Sequence, residues 1–118
     1  MPSIHDILNE MKELRIISDS DHVHLVVRWN IDPQRVARTA IETFDDTENV
    51  HRKEICGELL AACFAKDPEL GDKKLRPFDK KTIKDAAIGV GMYTQEQIDA
   101  IIAKGQQDNE ASSAPKPK

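Results

Sequence analysis

Aromatic side chains are scarce in this chain and make up 4% of its 118 residues. A hydrophobic core must therefore be built mainly from Ile, Leu, Val and Ala. The chain also has no apolar run long enough to span a bilayer. Its first residues, MPSIHDILNEMKEL, carry acids where a signal peptide has a basic start and an apolar block. We therefore expect a cytoplasmic protein without a membrane segment.

Cysteine is also rare. Cys56 and Cys63 are seven positions apart in a segment whose pattern is typical of one helix. That spacing corresponds to about 10 Å along a helix axis, whereas the Cα atoms of a disulfide lie within about 7 Å of each other. We expect two buried thiols that act as small hydrophobic groups.

Patterns that carry catalysis or cofactor binding are missing too. Gly89 and Gly91 precede a helical segment, but no strand precedes them and no lysine lies in the turn, so they do not form a phosphate-binding loop. His22 and His24 would share a face only on a strand, and no further ligand pattern of zinc type accompanies them. The sequence therefore predicts a non-enzymatic protein without a cofactor or a metal.

Positive charge is in deficit, since 17 Lys and Arg stand against 21 Asp and Glu and give a net charge of -4. Such a chain has no general attraction to nucleic acid or anionic lipid. Charged residues make up 32% of the chain, above the roughly 25% of average proteins. We expect a largely ionic surface around the thin core that a single small domain can bury.

What the chain does contain is a series of short helical patterns. Apolar residues recur at spacings of three and four in five or six segments, and capping or breaking residues separate the segments. Ile31 and Val36 are placed as a hydrophobic staple around a cap at Asp32, and Phe78 and Ile83 around a cap at Asp79. The predicted helix starts are Ser3, Asp32, Thr47, Asp79 and Thr94, and the predicted stops are Asp45-Asp46, Asp67-Pro68, the glycines Gly89 and Gly91, and Gly105.

These patterns predict an all-α fold, a compact bundle of five or six short helices that forms a single domain over residues 1–105. The segment 47–66 has the broadest apolar face, so we expect its helix at the centre of the bundle. Residues 106–118, QQDNEASSAPKPK, are poor in apolar side chains. We predict that they form a disordered tail.

The segment DHVHLVVRWNI, residues 21–31, is ambiguous. Alternate apolar positions from Val23 to Ile31 are typical of a strand, whereas Leu25, Val26 and Trp29 fit one face of a short helix. A lone strand would leave its backbone groups without a ladder unless a second chain supplied one. We therefore favour a helix, and a strand would imply a dimer with a shared sheet.

Two corners of the chain share a pattern. ELRIISDSD, residues 13–21, and IGVGMYTQEQ, residues 88–97, both place a hydrophobic pair before a Ser or Thr, and acids follow. The match is too short to indicate an internal repeat. Both stretches show a pattern that recurs at helix corners.

Binding to another protein is the function that these exclusions leave. Acids cluster at residues 42–48 and a basic run occupies 73–84, and complementary patches of this kind steer partners or pack head to tail in a homo-oligomer. Trp29 and Arg28 are residue types favoured at binding hot spots when exposed, although core filling is the competing interpretation of Trp29. We predict a small cytoplasmic protein-binding module, a regulator or adaptor. The first candidate surface is the basic run Lys73, Lys74, Arg76, Lys80, Lys81 and Lys84, and the second is Arg28 with Trp29.

The segment 82–104 leaves an alternative, a DNA-binding regulator. Its two helical patterns joined by a short corner resemble a helix-turn-helix, whose second helix enters the major groove. Glu96 and Asp99 on that second helix would face phosphates, where their negative charge is repulsive. Nucleic acid is therefore disfavoured as the partner, and this alternative ranks second.

Overall fold

The computed structural model describes residues 3–75 and 80–113, with side chains described as far as Lys104. Within those residues the chain forms six α-helices and no strand, which confirms the predicted all-α bundle. In chain order the elements are α1 (Ile4–Glu13), α2 (Asp19–Ile31), α3 (Pro33–Asp46), α4 (Val50–Lys66), a 3-10 turn (Leu70–Asp72), α5 (Ile83–Gly89) and α6 (Gln95–Ser113).

Helix α4 lies at the centre of the bundle, as its broad apolar face predicts. It packs against α1, α3 and α6. Leu59, Leu60, Cys63 and Phe64 are all fully buried along it. Burial of one such large apolar side chain contributes about 1.5–3 kcal/mol, so α4 is the element whose packing the other helices share.

The ambiguous segment is a helix, and the strand interpretation with its shared sheet is wrong. The Ser18 hydroxyl caps α2 by accepting a 3.0 Å hydrogen bond from the backbone N–H of Asp21. Leu25 is 2% exposed, and Val26 and Trp29 are partly buried against the same core. The helical face that these side chains form is therefore the face that α2 turns inward.

Two predicted helix starts are confirmed in detail. At α1 the Ser3 hydroxyl accepts from the Asp6 N–H at 3.2 Å, and the Asp6 carboxylate accepts from the Ser3 N–H at 3.4 Å. At α6 the Thr94 hydroxyl accepts from the Gln97 N–H at 3.2 Å, and the Gln97 side chain accepts from the Thr94 N–H at 2.9 Å. Both are reciprocal capping boxes, which satisfy two backbone donors each.

The start of α4 differs from the prediction. Its N-cap is Asn49, whose side chain accepts from the Arg52 N–H at 3.0 Å, and the helix begins at Val50. Thr47 instead accepts from the Asn49 N–H at 3.2 Å. Thr and Asn both favour helix caps and turns, so the sequence offered two candidate N-caps two positions apart. In the structure Asn49 is the cap, and Thr47 lies in the turn that precedes it.

The start of α3 lies where predicted, but not for the predicted reason. Asp32 is the N-cap residue and Pro33 the first helical residue, yet the Asp32 side chain makes no capping hydrogen bond. Asp32 is also the C-cap of α2, so Ile31 is still a residue of that helix. The direction of the Ile31 side chain is therefore set by α2, and Ile31 is 68% exposed. The predicted staple between Ile31 and Val36 is therefore wrong.

Helix α5 begins later than predicted. Thr82 is its N-cap and accepts from the Asp85 N–H at 3.1 Å. The predicted cap Asp79 and its staple residue Phe78 lie outside the described residues. The delay has a cause in the backbone, because Thr82 forms an isolated antiparallel bridge with Lys74 and is itself extended, so the helix begins only after it.

The end of α6 also differs from the prediction. The helix continues to Ser113, beyond Gly105 where we expected it to stop. A glycine inside a helix costs about 1 kcal/mol relative to alanine, which does not force termination. Residues 114–118 lie outside the described residues, and disorder of the tail stays a prediction.

Candidate functional site

Folding divides the predicted basic run. The Lys73 Nζ donates to the Asp67 carboxylate at 2.9 Å, and this hydrogen bond raises the pKa of the lysine. The Lys84 Nζ donates to the Asp99 carboxylate at 2.8 Å and lowers the pKa of that carboxyl. Arg76 lies outside the described residues. At least two of the six predicted cations are therefore engaged within the chain itself.

The exposed lysines of the run do not lie on a purely basic surface. Lys80 and Lys81 are both exposed. Lys81 lines a groove of about 380 Å³ together with Glu42 and Asp45, and apolar side chains from α3 and α5 complete its walls. The acidic corner and part of the basic run thus face each other inside one molecule, which reduces the charge that either offers to a second copy.

Lys74 takes a different position from the rest of the run. It lines a shallow depression of about 120 Å³ with Arg35 and Arg38, and Asp32 is the acid among them. Arg35 and Arg38 are three positions apart on α3, whose buried stripe faces the other way. The loop before α5 therefore places Lys74 beside Arg35 and Arg38 of α3.

A second depression extends this surface onto α2. Asp32 and Arg35 line it as well, and His24 and Arg28 complete it. Arg28, from the second predicted surface, thus lies on the same side of the molecule as Lys74, from the first. We refer to these residues below as the cationic face: Arg28, Arg35, Arg38 and Lys74.

The charge of the cationic face is only partly offset. Arg38 forms a 2.7 Å salt bridge with Glu42, whereas no other described residue forms a salt bridge with Arg28, Arg35 or Lys74. Four cations therefore meet two acids, on a chain whose net charge is -4. Arg35 and Arg38 were not among the predicted site residues, although their outward positions beside the buried stripe of α3 could have indicated them.

Trp29 does not belong to this surface. It is partly buried against the core, and the Lys66 Nζ lies 5.0 Å from the centroid of its ring. A cation at that distance from an indole face is attracted by the ring. The structure thus favours the core-filling interpretation of Trp29 over an exposed hot spot.

Helix α2 presents apolar side chains to solvent as well as to the core. Val23, Val27 and Ile31 are 63%, 52% and 68% exposed. They are four positions apart, so they lie on successive turns of one helix face. We call these three residues the α2 stripe. Its signal was in the sequence, but the same residues also fit the strand alternation, which concealed their spacing of four.

The cysteines and histidines are not arranged for nucleophilic or metal chemistry. Burial raises the pKa of Cys56 to about 11 and also raises that of Cys63, against the opposing charge of Lys66. A thiol that stays protonated is a poor nucleophile. The His22 Nε2 lies 2.8 Å from the Asn9 side-chain oxygen. Among the described side chains, no group of three or more potential metal ligands occurs.

The corner at 82–104 is anchored to α4. The Tyr93 hydroxyl donates to the Gly57 carbonyl oxygen at 2.7 Å. The exposed residues of α6 include Glu96 and Asp99, as the sequence predicted, and the Asp99 carboxylate engages Lys84. No observation favours phosphate contact at this corner, and the DNA-binding alternative stays a prediction.

Comparison with models of protein families matches no family, and comparisons with curated proteins and with solved structures find no similar chain. In the part of the chain that the structure describes, none of the helices combines the length and the apolar character needed to cross a membrane.

Proposed function

We propose that this chain is a non-enzymatic cytoplasmic module, a small regulator or adaptor, that binds another protein. The cationic face is the contact surface, and an acidic segment of the partner is what it takes. One observation carries the proposal: the consecutive helices α2 and α3 and the remote loop before α5 bring Arg28, Arg35, Arg38 and Lys74 to one side of the molecule.

Arginine favours this kind of partner. Its planar guanidinium donates two parallel hydrogen bonds to one carboxylate, and it is hydrated more weakly than an ammonium group. Complementary charge of this sort speeds encounter and selects the partner, more than it raises affinity. The cationic face therefore suits a reversible interaction with a segment rich in Asp and Glu.

The alternatives to an acidic protein segment have less support. The depressions beside Lys74 and beside Arg28 hold about 120 and 320 Å³, below or at the lower end of the roughly 300–1,000 Å³ typical of small-molecule sites. Nucleic acid requires cations along an extended backbone, whereas the acids Glu42, Asp45 and Asp46 continue along α3 from the cationic face.

A pair of matched charge reversals tests the proposal. Arg35→Glu/Lys74→Glu reverses two charges of the cationic face, and Lys80→Glu/Lys81→Glu reverses two exposed charges elsewhere in the loop region. Both double variants change the net charge equally, and far-UV circular dichroism verifies that each is folded. Pull-downs from the source cell with these two proteins and the wild type then identify the partners that each retains.

We expect at least one partner to bind both the wild type and Lys80→Glu/Lys81→Glu. The same partner should not bind Arg35→Glu/Lys74→Glu. Identical partners for all three proteins would contradict the proposal. A labelled DNA duplex of random sequence, titrated at low salt, tests the DNA-binding alternative in the same preparations. If the wild type binds the duplex and Lys84→Glu does not, the DNA-binding alternative would replace the proposed function.

A further inference from the structure

The α2 stripe is an apolar surface that nothing in the described chain covers. Val23, Val27 and Ile31 are each more than half exposed, while Leu25 of the same helix is buried in the core. Apolar side chains scattered singly on a surface need no explanation, but a contiguous row of them marks a contact site. A partner that covers this row must therefore bring apolar side chains of its own.

The cationic face begins at one edge of the α2 stripe. His24 is three positions before Val27, and Arg28 is three positions before Ile31, so each pair meets on neighbouring turns of the helix. At about 100° per residue, His24 and Arg28 lie on the same side of the apolar row. Both line one depression with Arg35 of α3, so the apolar surface borders on the cationic one.

The two edges of the stripe differ in charge. On α2, which the structure describes in full, the edge opposite Arg28 carries Asp19 and Asn30, both of them exposed. A segment that lies along α2 therefore meets the positive charge of this helix on one side only. Charge complementarity requires acids along that side of the segment, because acids along the other side would be repelled by Asp19.

A helix is the conformation in which a segment covers this surface without losing backbone hydrogen bonds. An extended segment needs a sheet edge to pair with, and the described residues form no strand. A helix satisfies its backbone N–H and C=O groups internally. Apolar residues at spacings of three and four on such a helix form ridges that pack between the side chains of α2.

We infer that the acidic segment bound by the cationic face is an amphipathic helix of the partner protein. Its apolar side covers the α2 stripe, and acids along one edge of that side contact Arg28 and Arg35. The inference rests on the proposed function, because it names the form of the segment that the cationic face binds. From Val23 to Ile31 the stripe spans about 12 Å, so about two turns of the partner helix cover it.

Photo-crosslinking in the source cell tests the inference. The photoreactive amino acid p-benzoylphenylalanine replaces Val27 in one protein and Gln34, which lines the depression beside Lys74, in a second. In a third it replaces Val50, which is 69% exposed at the start of α4 and provides the control. Mass spectrometry then identifies the peptide to which each position is joined.

Positions 27 and 34 should crosslink to the same stretch of one partner, and position 50 should not. In that stretch apolar residues should recur at spacings of three and four, with Asp or Glu beside them along one edge. A labelled synthetic peptide of the stretch, titrated by fluorescence anisotropy, measures the apolar contribution. Val27→Ser should weaken its binding by about tenfold, whereas Val50→Ser, the matched control, should leave the dissociation constant unchanged.

The outcomes separate this inference from the proposed function. A product from position 34 without one from position 27 would overturn the inference and leave the proposed function in place. Equal binding of the peptide by Val27→Ser and the wild type, or a stretch without the helical spacing, would do the same. If position 27 joins only a second copy of the chain, the inference is also wrong. The absence of a product from position 34 would contradict both.

Discussion

Arg15 and Gly91 occupy the same place in two matching corners of the bundle. Both have a left-handed backbone, with φ of 59° and 81°, and each lies three positions before the N-cap of the next helix, Ser18 or Thr94. In both corners the following residue donates its backbone N–H to a carbonyl five positions back, at 2.8 and 3.0 Å. This is the glycine-type helix ending, and the two stretches that share a sequence pattern also share this backbone.

The shared corner predicts opposite effects of two substitutions. Arg15→Gly should raise the free energy of unfolding by about 0.5–1 kcal/mol, because relief of the left-handed strain exceeds the added entropy of the unfolded chain. Gly91→Ala should lower it by about 1–2 kcal/mol, because alanine must adopt the strained conformation. Urea unfolding followed by circular dichroism measures both changes.

Gly89 provides the control for this prediction. It lies two positions before Gly91, at the end of α5, and an added Cβ would meet no atom within 4 Å. Gly89→Ala should therefore leave stability unchanged or raise it. Equal losses for Gly89→Ala and Gly91→Ala would show that the left-handed backbone of Gly91 is not the cause.

Gly57 and Tyr93 are coupled where the corner before α6 packs against α4. The Tyr93 hydroxyl donates to the Gly57 carbonyl oxygen, and a Cβ added at Gly57 would lie only 3.1 Å from that hydroxyl. Tyr93→Phe should cost about 1 kcal/mol, since one hydrogen bond is lost. Gly57→Ala gains up to about 1 kcal/mol of helix propensity, but the close contact opposes this gain while the hydroxyl is present.

The prediction for this pair is therefore non-additive. Gly57→Ala should stabilise the Tyr93→Phe protein more than it stabilises the wild type, by about 0.5–1 kcal/mol. Urea unfolding of the wild type, the two single variants and the double variant measures the difference. If Gly57→Ala has the same effect in both backgrounds, the hydroxyl does not restrict the α4 backbone at this position.

Buried thiols make stability depend on alkaline pH. Below the ordinary cysteine pKa of 9.0 the thiols are protonated in both the folded and the unfolded chain. Burial raises the pKa of folded Cys56 to about 11, so between these values the unfolded chain loses a proton that the folded chain keeps. The free energy of unfolding should therefore fall as the pH rises from about 9 to about 11.

Cys56→Ala isolates the part that this residue contributes. Its unfolding free energy should fall less steeply over the same pH range, although Cys63 and Tyr93, whose pKa values burial also raises, keep some slope. Urea unfolding at several pH values compares the two proteins, with dithiothreitol present to keep the thiols reduced. Curves of equal slope would show that folding does not raise the pKa of the Cys56 thiol.

The features that the sequence predicted correctly are local. Ser3 and Thr94 cap helices through hydrogen bonds that span three residues, and Pro68 stops α4 through its own ring, so a short window of sequence contains the whole cause. Where local evidence was divided, as between Thr47 and Asn49, the prediction missed by two positions. The cationic face joins charges from α2, α3 and the loop before α5, so it could not be placed on the molecule from such windows.

By itself the sequence determined the helical class, several helix ends and the inward face of most helices, because these follow from the spacing of apolar residues and from side chains that bond their own backbone. Only the tertiary structure decided which charges lie together. Lys84 was predicted to act with Lys74, but it pairs with Asp99, while Lys74 lies beside Arg35. Contacts between distant residues depend on how helices cross and where loops cross the surface, and the periodicity of a single helix does not encode either.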